Sequence, residues 1–112
     1  MGERAADLAM KLEAKGAETL VFFHALPPEA WTRPVYTEGM AWDARQVLCH
    51  FVSAERSFLR LVTDIASGGP GASPDFNVDR FNASQVSSMA NDSAAELLSA
   101  FEAARRDLAA YV

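Results

Sequence analysis

Apolar residues return along this chain at helical spacing in three long stretches and one short one. The first stretch, from about Glu3 to about Ala25, places Leu8, Leu12, Thr19, Phe23 and the adjoining Leu26 on one face, at about 100° per residue. Ala5, Ala9 and Gly16 fall near that face and would let a neighbouring helix approach closely, although Gly16 costs about 1 kcal/mol of helix propensity. Pro27-Pro28 ends the helix, because a proline disfavours helical geometry in the residue before it. The second stretch has the clearest start. Asp43 can cap it, Gln46 completes a capping-box-like pattern, and Trp42 and Val47 stand at the two positions of a hydrophobic staple. This helix is expected from Ala44 to about Ser67, where Gly68-Gly69-Pro70 stops it. Its seam reads Val47, Phe51, Ala54, Phe58, Leu61, Ile65, with a second apolar stripe of Leu48, Val52, Leu59 and Val62. An arc that wide suits a central helix.

Residues 27–42 read as an aromatic loop over one end of the helices, and 67–78 as a crossover loop before a short helix at about 78–90. The glycines of the crossover have no Gly-Lys-Ser/Thr after them and no strand before them, so they are turn residues and not a phosphate loop. Ser93 and Glu96 form a full capping box for the last helix, whose inner seam is Leu97, Phe101, Ala104, Leu108 and Tyr111. β-Branched residues are sparse and strict alternation is never sustained. The fold class is therefore all-α. Residues 1–112 form one helical domain of three long helices plus a short crossover helix. A fourth long helix would normally close such a bundle. Its cover is expected either from a partner chain, as in a homodimer, or from a longer bundle of which this chain is the front part.

Composition narrows the function classes. Half of the 112 residues are apolar and 22% are charged, enough for a packed core. The net charge of −5, with basic residues scattered, disfavours nucleic acid and anionic membranes. No apolar run nears the roughly 20 residues of a membrane span, and the charged N-terminus has no signal-peptide core. One cysteine permits neither an internal disulfide nor a multi-cysteine zinc site, and a reducing, cytoplasmic setting is expected.

The candidate chemistry is thin. His50 projects about 60° to one side of Val47, at the edge of the core face, where a metal ligand, a base or a hydrogen-bonded core-edge histidine would all fit. Glu55 points into the second apolar stripe and needs a cation: Arg105, Arg106 or Arg4. His50 and Glu55 diverge by about 140° and make no obvious ligand pair. Cys49 points away from the seam beside Arg45 and Arg56, which could lower its pKa; without a paired histidine it reads as a bystander. His24 suits the end of the first helix, and Asp75, Asp79 and Asn82 suit turns and caps better than a calcium loop. Trp31, Tyr36, Trp42 and Phe76 could line an apolar pocket near His50, or simply pack. No nucleophile–base–acid set can be assembled, so catalytic residues are not assigned.

The segments "EGMAWDARQVLCHFVSAE", "DIASGG", "DFNVDRFN" and "SAAELLSAFEAARRDL", with Trp31 ahead of them, resemble the DinB-like superfamily, in its mycothiol-dependent maleylpyruvate isomerase N-terminal branch. Trp42 and His50 match the W-x7-H spacing of that family. The resemblance implies an up-down-down-up helical bundle, often dimeric, that binds a divalent metal such as zinc or nickel through three histidines. His50 matches the first of them; the H-x-x-x-H pair expected on a fourth helix has no counterpart in residues 1–112. The implied function is a metal-dependent hydrolase, or a thiol-dependent transferase or isomerase using a low-molecular-weight thiol. Its metal site is incomplete, and the missing ligands would come from outside this chain. A metal-free helical binding or dimerisation module is the alternative.

Overall fold

A computed structural model describes residues 2–36 and 41–112, and of Gly2 and Tyr36 it describes the backbone only. Four helices carry the fold: α1 (Gly2–His24), α2 (Ala44–Ala66), α3 (Val78–Ser88) and α4 (Ala94–Tyr111). The all-α architecture expected from the periodicity is what is observed. The start signals act as anticipated. Asp43 accepts a hydrogen bond from the Gln46 N–H (2.8 Å) while Gln46 Oε1 accepts from the Asp43 N–H (3.0 Å), and Ser93 and Glu96 form the same reciprocal box on α4. Asn77 caps α3 by accepting from the Arg80 N–H (2.9 Å).

The described part of the loop after α1 holds short regular elements that the periodicity did not indicate. Pro28–Ala30 form a 3-10 turn, and β1 (Pro34–Tyr36) pairs antiparallel with β2 (Trp42–Asp43) across an irregular register. The ribbon ends where α2 begins, and the Trp31 carbonyl accepts the Arg45 N–H (3.0 Å), an amide of the first turn that would otherwise lack an acceptor.

Helix α4 packs against both α1 and α2, and α3 packs on α2. The core lies between them: Phe23 from α1, Leu48, Cys49 and Val52 from α2, Val86 and Met89 at α3, and Leu97, Leu98 and Phe101 from α4. The expected α4 seam is buried except Tyr111, which is 45% exposed at the helix end.

The expected α2 seam is a correction. Leu48, Cys49 and Val52 are fully buried, whereas Phe51, Phe58 and Ile65 are 37%, 54% and 55% exposed. Helix α2 has two apolar stripes of similar strength, and hydrophobicity alone does not choose between them. A charge does. Glu55 shares the Leu48–Val52 stripe and meets Arg105 of α4 in a bidentate pair, with Nε and Nη2 each donating over 2.7 Å to the two carboxylate oxygens. Arg105 Nη1 also donates to the Leu12 carbonyl of α1 (2.8 Å). Gly16 makes room for this side chain, since a Cβ there would lie 2.7 Å from Arg105 Cγ. One arginine therefore ties α1, α2 and α4 together and turns the Glu55 stripe inward.

With the other stripe outward, the radius of gyration is 15.3 Å, above the roughly 13 Å of a compact domain of this length. No described helix is long and apolar enough to cross a membrane.

Arg105→Ala leaves Glu55 as an unpaired, mostly buried carboxylate and should cost roughly 3 kcal/mol of unfolding free energy. The double substitution Glu55→Leu with Arg105→Met should recover most of it. Urea denaturation followed by circular dichroism measures both; equal stability of wild type and Arg105→Ala would refute the strut.

Candidate functional site

The outward stripe of α2 becomes one wall of a cleft. Ala54, Phe58 and Leu61 face Ala72 and Phe76 of the crossover loop and Val78 and Phe81 at α3, around a space of about 600 Å3. Phe76 and Phe81 pack ring to ring at 5.3 Å. His50 closes one end, Ser57 lies along the floor, and Arg60, Asp64 and Asn82 supply the remaining polar lining.

Asp64 shapes the loop wall. Its carboxylate accepts the Gly71 N–H (2.9 Å), its carbonyl accepts the Gly69 N–H (2.8 Å), and the carboxylate fills the space where a Cβ of residue 69 would stand. Gly71 has φ +76°, a left-handed conformation that glycine adopts without strain, and packs against Ile65. The Gly-rich segment is thus a shaped turn held by the last turns of α2.

His50 is set by its neighbours. Its ring packs on Trp42 of β2 at 5.2 Å and on Phe51 at 6.3 Å. Among the described residues, the buried Nδ1 has no hydrogen-bond partner, and neither do Ser53 Oγ and Ser57 Oγ. These atoms sit at positions i, i+3 and i+7 and so form a row along one face of α2. Burial holds the His50 pKa below its ordinary value of 6.5, since desolvation disfavours the charged ring.

The other candidate residues divide between structural work and the cleft. Phe76 joins His50 in the cleft, and Trp42 supports it from behind. Trp31 stacks on Phe23 at 5.6 Å, against the core. Glu55 is engaged by Arg105 and does not line the cleft. The side chain of Tyr36 lies outside the described residues. His24 is exposed in the last turn of α1.

Cys49, read as a bystander, does not lie on an outer side of α2. It is fully buried, and burial pushes its thiol pKa up despite the opposing pull of Arg45. Arg45 itself is committed elsewhere, donating to the Met89 carbonyl (2.7 Å) and the Asp92 carbonyl and so closing the α3–α4 turn. The cleft partners Phe58, Leu61, Phe81 and Asn82 were not legible as a site. The signal available was the second apolar stripe on α2, which left the first one without a helix to cover it.

The donor set does not fit a metal by itself. Among the described residues no three His, Cys, Asp or Glu side chains converge. A metal-bound histidine ordinarily donates its other ring N–H to a fixed acceptor, and the buried Nδ1 of His50 has no carboxylate or carbonyl partner among the described residues.

The sequence model of the mycothiol maleylpyruvate isomerase N-terminal domain family, which is DinB-like, matches residues 12–112. No curated protein and no solved structure matches the chain significantly.

The depressed His50 pKa has a defined consequence for stability. The unfolded chain takes up a proton at this residue before the folded one does. Stability is complete above the unfolded pKa and falls as pH drops below it, towards the folded pKa. The urea midpoint should therefore decline between pH 7.5 and pH 5 by less in His50→Gln than in wild type. Identical declines would mean that His50 is not desolvated.

Proposed function

Because the chain belongs to the mycothiol maleylpyruvate isomerase N-terminal domain family, we propose that it serves a thiol-linked isomerase or transferase, holding a small molecule in the cleft between α2, the crossover loop and α3. One coincidence carries this reading. The histidine that matches the family spacing is also the residue that closes an aromatic-walled cleft of about 600 Å3, within the range of small-molecule sites. The cleft lining is mostly apolar, with Arg60, Asp64 and Asn82 among its polar groups, so a hydrophilic thiol would lie along these with its reaction partner on the aromatic wall. A zinc or nickel ion held at His50 would need its other donors from a second copy or from outside residues 1–112, and no step is assigned to it.

A second reading, a metal-free dimerisation module, draws support from the same stripe. Phe58 and Ile65 are 54% and 55% exposed, an apolar surface that a second copy would bury.

Mycothiol titrated into the 15N-labelled protein should shift the amides of Arg60, Asp64, Gly71 and Asn82. Shifts that are absent, or confined to α1, would dismiss the thiol-linked reading. For the second reading, sedimentation at tens of micromolar should give a dimer that Phe58→Glu converts to monomer. A wild-type monomer at that concentration would remove its support.

A further inference from the structure

Resting on the cleft as the ligand site, though not on the identity of the thiol, we propose that His50 acts there as a hydrogen-bond donor through Nε2 and not as a metal ligand. The molecule it recognises then presents a carbonyl oxygen on an apolar, aromatic-sized body. The argument starts from the ring's two nitrogens. A neutral imidazole carries one proton. Nδ1 is the nitrogen buried without a partner. A proton there would be a buried donor with no acceptor among the described residues, a desolvation cost that no hydrogen bond offsets. With the proton on Nε2, the buried side keeps only a lone pair, and the nitrogen not shut off from its surroundings becomes the donor.

A metal site needs the opposite arrangement. The ligating nitrogen offers its lone pair while the other nitrogen donates outward to a fixed acceptor. At His50 the ring is oriented by its packing on Trp42 at 5.2 Å, which fixes a direction without specifying that tautomer.

The walls then set the ligand class. Phe58, Leu61, Phe76 and Phe81 offer an aromatic and aliphatic surface, suited to a planar apolar body. Of the two charged lining residues, Asp64 is engaged by Gly71 and Arg60 is exposed. Among the described lining residues the one cation, Arg60, stands ten residues along α2 from His50, so a full charge carried inward to His50 would lose its hydration away from it. An uncharged acceptor avoids that cost, and a carbonyl oxygen accepts the Nε2 hydrogen directly.

The test uses acetophenone as the carbonyl probe, ethylbenzene as its counterpart without an acceptor, and zinc chloride as the metal. Imidazole nitrogen resonances, assigned to His50 by their loss in His50→Gln, should report the Nε2–H tautomer in the free protein. Acetophenone should shift that resonance and bind several-fold more tightly than ethylbenzene, as one hydrogen bond allows. His50→Gln, whose amide N–H stands near the Nε2 position, should keep the preference, and His50→Leu should erase it. An Nδ1–H tautomer, or zinc binding that His50→Gln abolishes, would overturn the proposal while leaving the cleft as a ligand site. If neither aromatic moves any resonance of Ala54, Phe58, Leu61 or Phe76, the cleft reading fails, and the proposal fails with it.

Discussion

The arrangement of this protein depends on one arginine. Arg105 binds the Glu55 carboxylate through two hydrogen bonds of 2.7 Å and reaches the Leu12 carbonyl with a third. Its guanidinium also lies 5.4 Å from the Phe101 ring centroid. Each contact belongs to a different helix or to the core, so the register of α1, α2 and α4 is set at a single point. A buried ion pair adds little net stability over a well-packed apolar pair. What it adds here is direction, because only one rotation of α2 lets Glu55 meet its counter-charge.

That rotation makes the cleft. With Leu48 and Val52 committed to α4, the stripe of Ala54, Phe58 and Leu61 must find other cover, and the crossover loop and α3 provide part of it. The cover is incomplete because Asp64 pulls the loop back towards the end of α2 and α3 is only 11 residues long. His50 lies between the two stripes, close enough to the core to lose water from Nδ1 and close enough to the cleft to line it. The chemistry proposed for it follows from this intermediate position, since a ring deeper in the core would face no ligand and one further out would titrate as in water.

Much of this was legible in the sequence, and the reasons are local. Both capping boxes lie within four residues of chain, as do the glycine and proline stops, so the helix ends fall where these signals place them. The α4 seam was legible because that helix has a single dominant apolar face. Glu55 was legible as a carboxylate in need of a cation, and Arg105 was among the partners its position allowed. The short β1–β2 ribbon was not legible, because three residues paired with two leave no alternation to detect. The buried state of Cys49 was not legible either, because its surroundings depend on which way α2 turns.

The sequence by itself determined the four helices, their starts and stops, the all-α class and the need for a charge pair at Glu55. These rest on spacing within one segment, where side-chain periodicity and capping act over a few residues. The tertiary structure alone decided which apolar stripe of α2 faces inward, that a cleft opens along the other, and that Nδ1 of His50 is buried. Those outcomes depend on contacts between residues as far apart as Leu12, Glu55 and Arg105, and no local pattern encodes the rotation that brings them together.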